Sequence, residues 1–541
     1  MIFSCILFDR LLCIVNYTIV MKRLIAIPSI LALFAGSAMA NVITVDGENV
    51  SDIEKNLPVE TKFWNGMIPT ESNYVTSGKI LNMTDSSYNN ISITIGDGSA
   101  TESTSRVYGG IIRGMQSTIN VDGSIFNNIK ATAPYQIQGG AISQDTGVLN
   151  ITNSKFSSNK ASSMGYDGEY NYAAFTMGGA VSSYGSSVSA DNVEFNGNSV
   201  NSYDKNAMGG AIYFHAGLVD LRGASKANER LDISISNSKF VGNYATVEAD
   251  MSKAMGGAIY LKGESTTTYD DKRSFVISNT IFSDNYAGVG GAIYTRGAHV
   301  DIKITDGVDR TYAGNYSTLG DQNGGFMMIG SLSEKVANIN FNIQDATLTI
   351  GNANCEAGYD SIASADATAV INKLGAGALV VNGSMEYFAG TLNVNEGSMT
   401  VNSTLGAANI NVANGATLSL GDNSDIILYA CSITVEEGAT LNLGENTNIV
   451  VNLTEDSNGS TNLFNVQGTL TQDGVDGDTS VVLAGLQDNI TVTYNGEVLD
   501  NSDWAFDAET GKLVANVPEA AEVAAIFGAI ALAFIAYRRR K

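Results

Sequence analysis

The chain has 541 residues, with 57 glycines, 5 prolines and a formal net charge of −25. Hydrophobic residues make up 44% of it, enough for a large core, which excludes a disordered or collagen-like chain. The acidic balance argues against nucleic acid as a partner. Because residues 135–517 contain no proline, we expect continuous strands joined by tight turns.

Residues 1–40 predict an upstream extension followed by a signal peptide. Met21 is the better start, because two basic residues follow it and lead into an apolar run. The run ends in the small residues Ala38 and Ala40, the pattern that signal peptidase cleaves. A membrane anchor continuous from the first residues is the alternative, and the charges that interrupt the run disfavour it. We therefore expect export, with residues 41–105 forming an N-terminal cap.

Residues 106–350 carry two alternating repeats. Copies of Gly-Gly-Ala-(Ile/Val) begin at Gly139, Gly178, Gly209, Gly256 and Gly290, with degenerate copies at Gly109 and Gly324. Copies of Phe-x-x-Asn begin at Phe156, Phe195, Phe240 and Phe282, with degenerate copies at Phe126 and Tyr312. Each pair of motifs fits one coil of an all-β, right-handed parallel β-helix.

Each motif has a physical role in such a coil. The Gly pair permits a bend with positive φ and a close approach of two backbones. The Phe side chains are predicted to stack inside the cylinder. The Asn is predicted to take the left-handed conformation of a turn, with its amide bonded to its copy in the next coil.

Strand alternation places a set of tyrosines and basic residues on the outer surface of three consecutive coils. This possible ligand face comprises Tyr213, His215, Tyr260, Lys262, Tyr294 and Arg296. One interpretation is a groove for glycans or polyanions, since aromatic rings and cations combine well there. The other is that tyrosine favours β-surfaces and that the cations balance neighbouring carboxylates.

From residue 351 the repeat changes character. Residues 351–489 contain strands with Gly turns, as in 373–383 and 387–397, which predict a continuing solenoid with smaller coils. Residues 490–516 contain an Asn-Gly turn after an alternating strand and predict a terminal hairpin cap.

Residues 517–541 predict a C-terminal membrane-anchor helix. An apolar segment follows Val517, Pro518 and Glu519 and is closed by basic residues, which favour the cytoplasmic side. These basic residues are Arg538, Arg539, Arg540 and Lys541. The segment is short for a permanent span, so a transient anchor is the better interpretation.

Three stretches resemble known families. The alternating motifs of residues 106–330 resemble the polymorphic outer-membrane protein repeat, and residues 373–397 look like the autotransporter-associated β-strand repeat. The tail resembles the PEP-CTERM sorting signal of diderm bacteria, although Ala520 stands where the commonest pattern has a second proline. These resemblances imply a surface protein, often adhesive, whose tail an exosortase-like protease processes.

The expected function is that of an exported, non-catalytic protein of the cell surface, outer membrane or extracellular matrix, adhesin-like or structural. Its expected partners are signal peptidase, the exosortase-like protease, and glycans or cell-surface components. The alternative is a polysaccharide lyase or glycoside hydrolase on the same scaffold, which would use carboxylates such as Asp220 and Asp301 beside the basic residues.

No cofactor is expected. Asp473, Asp476 and Asp478 could hold calcium, but a plain Asp-Gly turn explains them better. Cys355 and Cys431 could form a disulfide in an exported protein or remain free, and their spacing does not decide between the two.

Overall fold

The computed structural model describes residues 43–45, 80–94, 106–133, 136–163, 175–216, 231–263, 273–332, 337–364, 366–429, 432–453 and 460–515. Within these ranges the chain winds into successive coils, and strands at the same position of neighbouring coils pair in parallel. The parallel β-helix that the repeats predict is thus confirmed. Its right-handed sense stays a prediction.

Five strands make one coil in the first half of the chain, and they build sheets that we name A to E in chain order. Sheet A holds Ile80–Thr84, Thr118–Asp122, Val148–Thr152, Ser187–Asp191, Leu231–Ser236, Arg273–Ser278, Val300–Ile304, Asn338–Ile343, Val370–Leu374, Thr391–Val394, Asn409–Val412, Ile433–Val435 and Phe464–Val466. Sheet B holds Ser87–Asn89, Ile125–Asn127, Lys155–Ser157, Glu194–Asn196, Lys239–Val241 and Ile281–Ser283. Sheet C holds Ile43–Val45, Ile91–Thr94, Lys130–Ala133, Lys160–Ser163, Ser199–Ser202, Tyr244–Val247, Tyr286–Ala287 and Tyr316–Ser317.

Sheets D and E complete each of these coils on either side of the Gly-Gly motif. Sheet D holds Arg106–Tyr108, Gln136–Gln138, Phe175–Met177, Asn206–Met208 and Ala254–Met255. Sheet E holds Ile112–Met115, Ile142–Asp145, Val181–Tyr184, Ile212–His215, Ile259–Lys262, Ile293–Arg296, Met327–Gly330 and Ile362–Ala363.

Later coils are smaller, because sheet A continues but only two further sheets accompany it. Sheet F holds Arg310–Tyr312, Thr347–Ile350, Ala378–Val381, Ser398–Val401, Thr417–Leu420, Thr440–Leu443 and Thr469–Gln472. Sheet G holds Leu405–Ala407, Ile426–Tyr429, Ile449–Leu453, Ile490–Tyr494 and Glu497–Val498. A small antiparallel sheet holds Ser460–Asn462, Trp504–Asp507 and Lys512–Ala515. Single 3-10 turns lie at Met251–Lys253, Asp321–Asn323 and Gln487–Asn489.

Aromatic rings form a column through the interior, as the sequence predicts. Phe156, Phe195 and Phe240 are fully buried in successive strands of sheet B. Their ring centroids lie 5.1 and 4.7 Å apart and their planes are nearly parallel. Such offset stacks add to the stabilisation that burial of the ring area already provides.

The Gly pairs behave as predicted. Gly209 has φ +71°, and a Cβ on Gly210 would lie only 1.9 Å from the carbonyl oxygen of Gly257 in the next coil. The first glycine therefore makes the bend. The second lets the next coil approach, and no other residue fits there.

Buried asparagines form the predicted amide ladder, with one correction. Each ladder residue donates from Nδ2 to Oδ1 of the next, at 2.9 to 3.0 Å. The ladder runs through Asn159, Asn198, Asn243, Asn285 and Asn315. The expectation that these residues take the left-handed conformation is wrong. The residue before them does so, as at Gly197 and Gly242 with φ +61°, because the amide itself must point inward to reach its copies.

The C-terminal end of the solenoid is closed by a hairpin and a helix. Ile490–Tyr494 pairs antiparallel with Glu497–Val498 across the predicted Asn-Gly turn. The helix Thr479–Leu486, which the sequence did not suggest, buries three apolar side chains, and Asp478 caps its N-terminus. In the part of the chain that the structure describes, no helix is long and apolar enough to cross a membrane. The expected anchor helix within 517–541 falls outside those residues.

Candidate functional site

A groove follows the outer surface of the solenoid where sheets D and E meet at the glycine bend. Its volume is about 320 Å³. Its wall includes Tyr184, His215, Lys262 and Arg296 from sheet E and Met208 from sheet D. The structure thus brings the three basic residues of the possible ligand face together along one concave surface.

The three tyrosines occupy one register line of sheet E. Tyr213 pairs with Tyr260, and Tyr260 with Tyr294, with ring centroids 5.3 and 5.1 Å apart. The expectation that they form an exposed stacking face needs correction, because Tyr213 and Tyr260 are only 5% and 1% exposed. Methionines of sheet D, such as Met208, cluster with them. The stacked rings therefore form the floor of the groove rather than a free surface.

Burial also fixes the ionisation of these phenols. Desolvation raises the pKa of Tyr213 and of Tyr260 above the ordinary value, and that of Tyr294 in the same direction. The Arg296 charge opposes this shift at Tyr260. The floor is therefore neutral at physiological pH, and the positive charge of the groove comes from Lys262 and Arg296.

The basic residues occupy the next outward register line. His215 pairs with Lys262, and Lys262 with Arg296, on successive strands. His215 and Lys262 are half-buried and Arg296 is exposed. The Tyr184 ring meets the His215 ring edge-on with centroids 4.3 Å apart, which fixes the orientation of the imidazole.

The carboxylate in this line is engaged elsewhere. Asp145 lies two coils before His215 and is buried beside Arg113, whose Nη2 is 2.9 Å from the Asp145 Oδ2. Desolvation raises the pKa of Asp145, and the guanidinium opposes that shift. Arg113 also lies over the Tyr108 ring, 3.9 Å from its centroid.

Small side chains create the hollow itself. Ser182 pairs with Tyr213, and Ser143 pairs with Ser182, so two serines stand where the tyrosine line would otherwise continue. The sequence did not predict that sheet D forms the wall of the groove opposite sheet E. A signal for it exists, since Met177 and Met208 both stand directly before a Gly-Gly motif.

The other predicted sites have simpler roles. Asp478 Oδ1 accepts from the backbone N–H of Ser480 and Val481, so this carboxylate caps a helix. Within the described ranges, no group of three His, Cys, Asp or Glu side chains is placed to hold a metal ion. Asp301 accepts a hydrogen bond from Asn340 on the outer face of sheet A.

Cys355 is half-buried and donates from Sγ to the carbonyl oxygen of Tyr359 at 3.3 Å, and burial raises its pKa to about 12. Several predicted residues lie outside the described ranges, namely Ala38, Ala40, Asp220, Cys431, Val517, Pro518, Glu519, Arg538, Arg539, Arg540 and Lys541. The pairing of Cys355 with Cys431 accordingly stays a prediction.

Comparison with known proteins agrees with the repeat architecture. Residues 279–296 match the Chlamydia polymorphic membrane protein repeat. The match includes one Phe-x-x-Asn motif, one Gly-Gly-Ala-Ile motif and the groove residues Tyr294 and Arg296. No solved structure matches the chain.

A relative in Escherichia coli K12, described as "Probable autotransporter YfaL", is 29% identical over 294 residues. The alignment covers 51% of this chain and 21% of the relative, so the chain spans about a fifth of that protein's length. Fold and repeats thus define a protein with a parallel β-helix, one stretch of which is similar to the polymorphic membrane protein repeat and about half of which is similar to a probable autotransporter.

Proposed function

We propose that this chain is an exported, non-catalytic β-solenoid displayed at the cell surface, outer membrane or extracellular matrix of a diderm bacterium, with an adhesin-like or structural role. The observation that carries the proposal is the coil at residues 279–296. It matches the Chlamydia polymorphic membrane protein repeat by sequence, and in the structure it continues the Phe column and Asn ladder of its neighbours.

The architecture suits display. Sheet A has thirteen strands, and at a strand spacing of about 4.8 Å they cover about 58 Å along the axis. Each coil bonds mainly to its neighbours, so such a rod keeps its shape without a large globular core. A long regular surface of this kind can hold a binding groove away from the membrane.

Sorting is proposed to use both ends of the chain. Signal peptidase would cut after Ala40, and the tail from Val517 would hold the protein in the membrane with Arg538 to Lys541 in the cytoplasm. An exosortase-like protease would then process the protein near Pro518 and Glu519.

Surface shaving of intact cells tests this proposal. We expect added protease to release peptides from residues 106–515 while a cytoplasmic marker stays intact, and the mass of the recovered surface protein to show loss of residues after about 519. Pro518→Ala should leave a full-length, membrane-held form. Solenoid peptides released only after cell lysis would contradict surface display, and a mature protein still ending at Lys541 would contradict processing.

A further inference from the structure

We propose that the groove between sheets D and E holds one ring of a neutral sugar, in the hollow beside Ser182. Gln138, Ser182 and Tyr213 would form hydrogen bonds with its hydroxyl groups. This inference rests on the proposed surface function, because it names the class of ligand that such a protein would meet outside the cell.

Polar side chains that line the groove are buried without a hydrogen-bond partner on the protein. Gln138, Ser182 and Tyr213 are only 8%, 2% and 5% exposed. Within the part of the chain that the structure describes, no residue bonds the Gln138 amide or either hydroxyl group. Buried polar groups in proteins are paired in the great majority of cases, because an unpaired group has lost its bonds to bulk water. The groove therefore offers unused donors and acceptors to a molecule that enters it.

The hollow exists because two coils depart from the pattern that fills the next ones. Later coils place a methionine directly before the Gly-Gly motif, in sheet D, and a tyrosine four residues after its first glycine, in sheet E. These pairs are Met208 with Tyr213 and Met255 with Tyr260. At the equivalent positions, the two preceding coils have Gln138 with Ser143 and Met177 with Ser182. A methionine and a tyrosine would fill this space with apolar contacts. A position at which a repeat gives up such packing is expected at a functional site.

The unpaired groups suit the hydroxyl groups of a sugar. An amide and a hydroxyl group each donate and accept, as a sugar hydroxyl does, whereas an anion only accepts. The half-buried Phe175 ring, which packs against the methionine and tyrosine cluster, offers an apolar face to the C–H groups of a sugar ring. His215 and Lys262 already have interaction partners, so recognition does not require a negative charge on the ligand.

The dimensions suit a single ring. Arg113 and Tyr213 are the large side chains on either side of the two serines in this register line, and their strands are three spacings apart, or about 14 Å. The volume of about 320 Å³ lies at the lower end of the range of small-ligand sites. One sugar unit at the end of a glycan therefore fits the hollow better than a long polymer does.

Saturation-transfer NMR of the purified full chain tests the inference. The probes are the methyl glycosides of glucose, galactose, mannose and N-acetylglucosamine, and glycerol is the control that has hydroxyl groups but no ring. We expect at least one glycoside to bind, with an affinity that high salt leaves unchanged, because ionic strength screens charges but not contacts between neutral groups. Absence of binding by all four glycosides, equal binding of glycerol, or loss of binding at high salt would overturn the inference.

Gln138→Met separates recognition from a structural role. Met177 occupies the paired position of the next coil, so the fold accepts methionine there. We expect the affinity for the bound glycoside to fall about fivefold or more, because a hydrogen bond to the ligand is lost. The melting temperature should be kept or raised, because an unpaired polar group is replaced by an apolar one. The matched control is Gln344→Met on the exposed surface, which should change affinity by no more than about twofold. Unchanged affinity of the Gln138→Met variant, or equal losses in both variants, would contradict the assigned role of Gln138.

A second variant fills the hollow. Ser182→Tyr places a ring next to Tyr213 in the same register line, as the later coils do. We expect glycoside binding to be lost while the melting temperature is kept, and retained binding would overturn the groove assignment. This variant also carries the test if Gln138→Met proves unstable. Shaving of intact cells is unaffected by any of these outcomes, so failure of the groove and failure of surface display are distinguishable.

Discussion

Removal of one amide from the buried ladder should destabilise the solenoid strongly but locally. Asn243 is fully buried, and its Nδ2 donates to Phe195 O and to Asn285 Oδ1, both at 2.9 Å. Its Oδ1 accepts from the backbone N–H of Asn198 at 2.9 Å and from Asn198 Nδ2 at 3.0 Å. Asn243→Ala therefore leaves two N–H groups of Asn198 buried without an acceptor.

Each such group costs about 1–3 kcal/mol, so the free energy of unfolding of the affected coils should fall by about 2–6 kcal/mol. Hydrogen exchange followed by mass spectrometry measures this coil by coil. We expect loss of protection around residues 195–198 and 243–247 while the coils of residues 391–453 stay protected, because each coil contacts mainly its neighbours.

The matched control is an asparagine ladder on the outer face. Asn150 Nδ2 donates to Asn120 Oδ1 at 2.8 Å, but both side chains reach solvent. Asn150→Ala should cost no more than about 1 kcal/mol, because water replaces the lost partner. Equal destabilisation by the two substitutions, or protection lost uniformly along the chain, would refute the role assigned to the buried ladder.

Glycine substitutions should separate backbone strain from steric conflict. Gly242→Ala should lower the free energy of unfolding by about 1–2 kcal/mol in denaturant titrations, because φ is +61° and no atom lies within 4 Å of the added Cβ. Gly210→Ala should prevent folding of its coil, seen as loss of circular dichroism and of exchange protection, because its Cβ would overlap a carbonyl oxygen. Burial lowers the pKa of Lys373 from 10.5 to about 8, so the unfolded chain binds more protons between these values. The free energy of unfolding should then rise by about 2 kcal/mol from pH 8 to 9.5, and Lys373→Met should abolish the rise. Asp478→Ala should cost about 1 kcal/mol in thermal or denaturant unfolding, through loss of the helix cap, and no change would count against the cap.

Short-range patterns made the coil predictable from sequence. The Gly pairs, the Phe column and the Asn ladder each depend on contact between a residue and the equivalent residue of the next coil. The sequence repeat shows where that equivalent residue is. The left-handed position was misplaced because the motif puts Asn next to residues such as Gly242, and both residue types tolerate positive φ. Only the inward direction of the ladder amides shows that the residue before the asparagine, and not the asparagine itself, takes the positive φ.

Part of the groove could be predicted from the sequence. Strand alternation correctly placed Lys262 and Arg296 on the outer surface, since a period of two needs no tertiary information. The burial of Tyr260 depends on the angle at which sheet D meets sheet E, which the spacing of residues does not encode. The helix Thr479–Leu486 was missed for a similar reason, because a short apolar run fits either a buried strand or a helix.

Protease shaving of cells that express the chain tests the central claim, display at the cell surface, most directly. Added protease should release peptides from residues 106–515 from intact cells while a cytoplasmic marker stays intact. Solenoid peptides that are released only after cell lysis would contradict a β-solenoid displayed at the cell surface.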